Sequence, residues 1–252
     1  MSKLLATDLD GTLINDNEVT IEDKEFILRL QREKNLLVVS TGRPYNGVEM
    51  LKDDYKIFAD YYVLLNGALI VDSLGRKINQ EVINKKIIES IVNEISADDV
   101  YISVESGFDT YLLTDGDNLP YPNKKRVNSI CEIEEELSLI SIYNPNKEKD
   151  EIEKIKDEIN EKYGDAVVAY RNDIYIDIVP VGCSKGSGVK YLAKQELIEN
   201  ENIYTIGDSW NDVTMFNITK NSFTFKHAEE DLKKHVKYLV NSVGECIENY
   251  LL

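Results

Sequence analysis

The stretch LLATDLDGT, residues 4–12, joins a short apolar run to two aspartates and a glycine. Such a run is typical of a buried strand in a parallel sheet. Because side chains alternate along a strand, the spacing of Asp8 and Asp10 lets both carboxylates point the same way while the chain stays extended. Gly11 then permits a sharp turn. Ligands bind at the carboxyl ends of parallel strands, so this stretch predicts a polar site at a sheet edge.

The same strand pattern recurs further along the chain. Residues 36–40 (LLVVS) and 203–206 (IYTI) are two more apolar runs of strand length. Apolar residues at helical spacing follow Thr20 and Ser184, and both are residue types that cap helices. Strands that alternate with amphipathic helices are typical of a parallel sheet covered by helices. Both ends of the chain therefore predict one α/β core.

The middle of the chain has a different pattern. Two-sided strands, typical of antiparallel pairing, are predicted at 101–104, 111–114, 139–143, 166–170 and 175–179. Charged amphipathic helices are predicted at 84–96 and 147–163. We therefore predict a core of residues 1–83 and 184–252, with an inserted α+β domain at residues 84–183.

The charge of the chain limits its partners. It carries 46 acidic and 29 basic residues, a formal net charge of −17, which repels nucleic acid and anionic membrane surfaces. Its three cysteines lack CxxC spacing, so neither a disulfide framework nor a zinc site is predicted. Neither a leader peptide nor an apolar run of membrane-spanning length is recognised. We expect a cytoplasmic protein that binds neither nucleic acid nor a membrane.

A second acidic stretch, IGDSWND at residues 206–212, ends the strand predicted at 203–206. Its Asp208 and Asp212 are expected at the sheet edge that carries Asp8 and Asp10. Carboxylates held close together are unfavourable unless a cation lies between them, and Mg²⁺ prefers such oxygen ligands. By itself, an Asp-Gly pair after a strand is also typical of an ordinary turn. The two stretches together predict a Mg²⁺ site.

Two further stretches carry groups that suit a phosphate. Thr41, Gly42 and Arg43 follow the strand at 36–40 and offer a hydroxyl, a backbone N–H and a guanidinium. Lys185 follows Ser184 at the first turn of a helix, where its ammonium could neutralise charge shared by a nucleophile and a phosphate. The alternatives are a strand-to-helix turn capped by Thr41 and an ordinary surface lysine.

In chain order, DLDGTL, TGRP, the solitary Lys185 and GDSWND resemble the four motifs of the haloacid dehalogenase superfamily, specifically its Cof-like phosphatase branch. The resemblance spans nearly the whole chain. It implies an α/β fold with a Rossmann-like parallel-sheet core and an α+β cap inserted between the second and third motifs. It also implies a hydrolase that uses Mg²⁺.

The resemblance implies a role for each motif residue. Asp8 would be the nucleophile, and Asp10 would act first as general acid and then as general base. Mg²⁺ would be bound by Asp8, the main-chain carbonyl of Asp10 and Asp208, with Asp212 acting through the water shell of the metal. The phosphoryl group would be held by Thr41, Gly42, Lys185 and Asn211, and the pattern adds the guanidinium of Arg43.

These residues predict a phosphatase that hydrolyses a small phosphorylated metabolite, either a sugar phosphate or a phosphorylated cofactor, through an aspartyl-phosphate on Asp8. The alternatives are a sugar-phosphate mutase and a non-catalytic ligand-binding or regulatory protein. We expect a monomer or a homodimer. A basic cluster at 124–126, close to Tyr121, could bind a second anionic group of the substrate, and a solvated loop is the alternative.

Overall fold

The computed structural model describes residues 2–95, 100–116, 119–120, 122–172 and 174–252. The first part of the chain forms strands and helices in alternation and then a meander. Its elements are β1 (Leu4–Thr7), α1 (Ile21–Arg32), β2 (Leu36–Ser40), α2 (Glu49–Asp53), β3 (Tyr61–Leu64), β4 (Leu69–Asp72) and β5 (Lys77–Gln80). Thr20 caps α1 by accepting a hydrogen bond from the backbone N–H of Asp23, as its position predicts.

The middle of the chain forms a second sheet with two helices. Its elements are α3 (Lys85–Ile95), β6 (Tyr101–Glu105), β7 (Thr110–Leu112), β8 (Lys124–Arg126), β9 (Leu139–Tyr143), α4 (Lys149–Tyr163), β10 (Val167–Asn172) and β11 (Tyr175–Pro180). The five predicted strands are confirmed, and β8 was not predicted. Ser96, the predicted end of the first helix, lies outside the described residues.

The last part of the chain returns to alternation. Its elements are α5 (Lys185–Gln195), β12 (Ile203–Ile206), α6 (Val213–Phe216), β13 (Asn221–Phe225), α7 (Glu230–Lys233), β14 (Tyr238–Val240) and α8 (Val243–Cys246), which a final helical turn over Ile247–Leu251 extends. Ser184 caps α5 by accepting from the backbone N–H of Ser187. The described helices include none that is long and apolar enough to cross a membrane.

In the described part of the chain, the larger sheet has eight strands in the order β14-β13-β12-β1-β2-β3-β4-β5. The six strands from β14 to β3 pair in parallel, as predicted. The predicted parallel-sheet core is confirmed, and at one edge of the sheet β4 and β5 continue it antiparallel. A tight turn between β3 and β4 allows this pairing, whereas parallel strands need a long crossover. The strand β1 lies between β12 and β2, so the ends of all three strands meet.

Apolar packing explains why both faces of β1 are buried. Leu5 contributes to a cluster on one face of the larger sheet, and Leu4 and Ala6 contribute to a cluster on the other. The second sheet has a separate apolar cluster with α3 and α4, in which Ile88, Ile152 and other isoleucines are buried. The second sheet has the order β10-β11-β9-β6-β7-β8. We call this sheet, formed by β6 to β11, the cap sheet. The domain bounds predicted at residues 84 and 183 stay a prediction.

Candidate functional site

The ends of the three central strands bring the predicted acidic residues together. Asp8 follows β1, and Asp208 lies two residues beyond β12. Oxygens of Asp8, Asp208 and Asp212 lie within 4.8 Å of one another. The sequence pattern therefore located a real cluster, because parallel neighbours end at the same edge of the sheet.

Lys185 lies inside this cluster and not at the surface. Its side chain is only 2% exposed, and its Nζ donates to Asp8 Oδ1 at 2.7 Å and to Asp212 Oδ1 at 2.6 Å. Burial acts to lower the pKa of the ammonium, but the carboxylates of Asp212 and Asp8 outweigh it and hold that pKa above its ordinary value. The alternative of a surface lysine is wrong, and Lys185 stays positively charged.

The cluster still carries excess negative charge. Burial and then the charge of Asp212 raise the pKa of Asp8 well above its usual range, although Lys185 opposes them. Burial and Asp212 likewise raise the pKa of Asp208 to about 6. Among the described residues, one ammonium faces these three acidic side chains, so the fully ionised cluster would carry two negative charges in excess. A donor set of carboxylate oxygens with this charge suits a hard divalent cation such as Mg²⁺.

The contacts of the carboxylates divide them into two kinds. Asp212 uses Oδ1 for Lys185, and its Oδ2 accepts from the backbone N–H groups of Asp208 and Ser209, both at 2.9 Å. Thr12 donates to Asp208 Oδ1 at 2.6 Å. Asp212 is thus held by the protein on both oxygens, which fits a supporting position better than direct contact with a metal.

Gly11 makes the close approach of the two acidic stretches possible. Its φ is +78°, and a Cβ atom there would lie 2.4 Å from Asp208 Oδ2. Any other residue would strain the backbone and displace the carboxylate. The glycine after Asp10 is therefore required by geometry, beyond the ordinary turn that a short motif suggests.

Asp10 lies outside the carboxylate cluster and meets Arg43. The guanidinium donates from Nε to Asp10 Oδ2 at 2.7 Å and from Nη2 to Asp10 Oδ1 at 2.6 Å, and Nη1 donates to the carbonyl of Gly47 at 2.9 Å. Such a two-pronged ion pair holds the Asp10 carboxylate in one orientation. The prediction that Arg43 binds a phosphate stays a prediction, since these contacts join it to Asp10 and Gly47.

A cavity of about 410 Å³ lies between the larger sheet and the cap sheet, beside the acidic cluster. Thr41 and Gly42 line it, and the Thr41 hydroxyl accepts from the backbone N–H of Arg43 at 3.2 Å. This bond stabilises the turn, but the N-cap of the helical turn that follows is Pro44 and not Thr41. Asn211 is buried, and its Nδ2 donates to Asn66 Oδ1 at 3.2 Å. The cap sheet and its connections contribute Leu119, Pro120, Leu139, Ser141, Asn172, Tyr175 and Asp177 to the wall.

Sequence reasoning missed most of the residues that the cap sheet supplies. Asp177 is the most informative of them, because it is a buried carboxylate within the otherwise apolar strand β11. An acidic residue in such a strand was a usable signal. Asn66 was assigned no role from the sequence, and the structure brings it beside Asn211 and Asp177.

The basic cluster at 124–126 lies elsewhere. It forms β8, at the far edge of the cap sheet. Lys125 pairs with Asp109 at 3.2 Å, and Arg126 pairs with Asp115 at 3.1 Å. Tyr121, the tyrosine predicted beside the cluster, lies outside the described residues. The described contacts therefore favour the solvated alternative.

Comparisons with known proteins agree with this geometry. A family model described as haloacid dehalogenase-like hydrolase matches residues 5–246. Phosphatase YwpJ of Bacillus subtilis is 27% identical over 262 residues, which cover 92% of this chain and 92% of the relative. The 5-amino-6-(5-phospho-D-ribitylamino)uracil phosphatase YwtE of the same organism is 24% identical over 286 residues, covering 96% and 94%.

A solved structure has the same fold. It is a haloacid dehalogenase-like hydrolase from B. subtilis, with a TM-score of 0.88, 24% identity, and coverage of 98% of this chain and 99% of that chain. At this identity the likeness shows the fold alone.

Proposed function

The chain belongs to the Cof-like branch of the haloacid dehalogenase-like hydrolases, and on that premise we propose that it is a Mg²⁺-dependent phosphatase of small phosphorylated metabolites. Its relatives are named phosphatases, so the hydrolase class is not in question. The proposal adds the metal, the aspartyl-phosphate intermediate and the substrate class.

One observation carries the proposal. Asp8 is only 4% exposed, and a buried ammonium binds one of its carboxylate oxygens beside two further acidic side chains. Such an arrangement lowers the stability of the fold, because buried charges in excess are unfavourable. Its presence therefore points to a function. It suits a nucleophile that must meet a phosphate dianion. Bound at the cluster, Mg²⁺ would supply the positive charge that lets the two anions approach.

In the first step the free carboxylate oxygen of Asp8 attacks phosphorus. A bond forms between Asp8 and phosphorus while the bond from phosphorus to the ester oxygen breaks. That oxygen leaves as an alkoxide unless it is protonated, and Asp10 in its acid form gives up the proton. To carry that proton, one Asp10 oxygen must first be released from Arg43. Lys185 stays on Asp8 Oδ1 and offsets the charge that both partners bring.

In the second step a water molecule attacks the phosphorus of the aspartyl-phosphate. Asp10, now a carboxylate, takes a proton from the water, and the bond between phosphorus and Asp8 breaks. Asp8 leaves as a carboxylate, and phosphate carries the new oxygen. The ion pair with Arg43 holds Asp10 at the mouth of the cavity, where the ester oxygen and the water would both lie.

The cavity supports a small substrate. A volume of about 410 Å³ suits a sugar phosphate or a phosphorylated cofactor. One relative is named for a phosphoribitylamino-uracil, which has the size and polarity that this cavity would accept.

Phosphate release across a panel of sugar phosphates and phosphorylated cofactors tests the proposal. We expect wild-type protein to release phosphate with Mg²⁺ and to stop when EDTA is added, and Asp8→Asn to lose at least about 10⁴-fold in turnover. Asp16→Asn is the matched control. It makes the same chemical change as Asp8→Asn, but at an exposed residue eight positions further along the chain.

If the wild-type protein released no phosphate from any substrate of the panel, the phosphatase proposal would be overturned. Activity that persists in Asp8→Asn would overturn the proposed aspartyl-phosphate intermediate. Activity that persists in EDTA would overturn the proposed dependence on Mg²⁺.

A further inference from the structure

Register in the cap sheet puts three polar side chains in one row. Ser103 pairs with Ser141, and Ser141 pairs with Asp177, on neighbouring antiparallel strands. Directly opposite residues of a sheet point to the same face. Ser141 and Asp177 both line the cavity, so this face of the cap sheet meets the core.

Asp177 lies against Gly42, one of the core residues predicted to hold the phosphoryl group. A Cβ atom added to Gly42 would be 2.8 Å from Asp177 Oδ2. The same Oδ2 accepts from Asn66 Nδ2 at 2.9 Å and from Asn172 Nδ2 at 3.3 Å, and Oδ1 accepts from Ser141 at 3.1 Å. Only one of these donors, Asn66, belongs to the core. The contact from Asp177 to Asn66 is therefore a direct link between cap and core at the site.

The link continues to a residue predicted to hold the phosphoryl group. A carboxylate only accepts hydrogen bonds, so Asn66 must turn its NH₂ group toward Asp177 and its Oδ1 away. That oxygen accepts from Asn211 Nδ2 at 3.2 Å. The orientation of the Asn66 amide thus fixes the orientation of the Asn211 amide. Within the described part of the chain, Asn211 Oδ1 is buried and has no hydrogen-bond partner.

Asn66 cannot easily adopt another position. Leu65, Asn66 and Gly67 all have left-handed backbone, with φ values of 50°, 48° and 93°. A Cβ atom at Gly67 would lie 2.0 Å from the carbonyl oxygen of Ser184, so the turn is pressed against the residue that caps α5. These constraints restrict the backbone of the turn. The remaining freedom is rotation of the Asn66 side-chain amide, and the hydrogen bond to Asp177 sets its orientation.

We propose that Asp177 is a positioning residue, which sets the amide orientations of Asn66 and Asn211 and so couples the phosphate-binding geometry of the core to the seated cap sheet. This inference rests on the proposed phosphatase function. It goes beyond that function because it assigns a task to a cap residue that touches neither the nucleophile nor the metal cluster.

Direct substrate binding by Asp177 fits the contacts less well. Both oxygens of its carboxylate already accept hydrogen bonds from protein side chains, and the residue is 4% exposed. Burial raises the pKa of this carboxyl, while Asn66, Asn172 and Ser141 counter the rise by donating to it. The three amide and hydroxyl donors stabilise the carboxylate in place.

Steady-state kinetics on p-nitrophenyl phosphate with Mg²⁺ tests the proposal in Asp177→Ala, Asp177→Asn and Asn66→Ala. We expect Asp177→Ala to lower kcat by about 10-fold to 100-fold, because a displaced binding group costs that much. Asp177→Asn keeps an oxygen that accepts from Asn66 and turns its NH₂ to the Ser141 hydroxyl, so we expect about threefold or less. The double variant Asp177→Ala/Asn66→Ala should be no slower than the slower single variant.

Lys149→Met is the matched control. Lys149 also joins the cap to the core, through Glu229 at 2.9 Å, and it lies outside the cavity that holds Asp177. We expect kcat of this variant to stay within about twofold of wild type, since exposed pairs contribute little.

A second readout does not depend on turnover. Side-chain amide signals of Asn66 and Asn211 in ¹⁵N NMR spectra should shift together in Asp177→Ala and stay at their wild-type positions in Lys149→Met. Unchanged Asn211 signals in folded Asp177→Ala would overturn the proposal.

Kinetics can overturn it in three further ways: an unchanged kcat in Asp177→Ala, equal losses in Asp177→Asn and Asp177→Ala, or additive losses in the double variant. Inactive wild-type protein would instead count against the phosphatase function, and the NMR comparison would still decide the role of Asp177.

Discussion

The core and the cap sheet present polar groups to the same cavity in different ways. In the core, Asp8, Thr41 and Asp208 all come after the last residue of a parallel strand. In the cap, Ser141 and Asp177 lie in the middle of antiparallel strands, on one face. A strand end reaches a sheet edge wherever the strand is placed, whereas a mid-strand residue reaches the cavity only in the right register.

This difference explains which site residues can be predicted from the sequence. Core residues sit in compact motifs because the turn after each strand must carry both the chemistry and the change of direction. Cap residues are spread over separate strands, with no motif of their own, since pairing alone brings them together. The following predictions test whether the core carries the chemistry and the cap only adjusts it, from the largest expected effect to the smallest.

Of the variants compared below, Lys185→Met should have the largest effect. It removes the one cation that the described residues bring to the carboxylate cluster, and it nearly keeps the length of the side chain. We expect turnover to fall by about 10³-fold. In the metal-free protein the free energy of unfolding should fall by about 3–5 kcal/mol, as expected when a buried ion pair loses one partner. Phosphate release and urea unfolding measure the two effects.

Lys194→Met is the control for this change, since Lys194 is exposed on the same helix, α5. It should leave turnover and stability at wild-type values. Equal losses in both variants would mean that the effect comes from the helix and not from the buried ammonium.

The excess negative charge of the core cluster should appear as a pH dependence of stability. Burial and Asp212 raise the pKa of Asp208 from 3.8 to about 6. The folded protein therefore binds more protons than the unfolded chain in this interval, and stability falls as pH rises through it. In EDTA we expect Asp208 to contribute a loss of roughly 2–3 kcal/mol between pH 4 and pH 7.

Urea unfolding of wild type and Asp208→Asn across this pH range isolates that contribution, because Asn cannot titrate. Mg²⁺ added at pH 7 should restore much of the lost stability to wild type only. An identical pH profile for the two proteins would show that Asp208 is not the source.

Arg43→Lys should have an intermediate effect. Lysine keeps the charge but cannot bind both Asp10 oxygens at once. Because the contacts of Arg43 are with Asp10 and Gly47, we expect kcat to fall about 10-fold with little change in KM. A rise in KM at constant kcat would instead favour direct binding of the phosphate by Arg43. Arg76→Lys, which alters an exposed pair with Asp72, is the matched control.

The basic edge of the cap sheet should have the smallest effect. Lys125 and Arg126 lie on β8, the edge strand farthest from β10, where they pair with Asp109 and Asp115, and neither of them lines the cavity. Lys125→Gln and Arg126→Gln should each change kcat/KM by about twofold or less, since exposed pairs are weak and screened. A tenfold rise in KM for a substrate with two phosphates would restore this cluster as a specificity element.

The core was predictable because its signals are local. The bounds of β1, β2 and β12 agree with the apolar runs at 4–7, 36–40 and 203–206, and Thr20 and Ser184 cap the helices that follow them. The clustering of Asp8, Asp208 and Asp212 followed from the parallel arrangement. The strands β4, β5 and β14 near the edges of the larger sheet were missed, since strands of three or four residues have little periodicity to detect.

Sequence by itself determined the fold class, the acidic edge of the core and the residue types available for phosphate chemistry, because each depends on neighbours along the chain. Only the tertiary structure decided the partners of the charged groups. It buried Lys185 between Asp8 and Asp212, joined Arg43 to Asp10 and set Asp177 against Gly42. These contacts join residues from about 30 to more than 170 positions apart, and their existence depends on strand order, register and burial, which no local pattern of residues encodes.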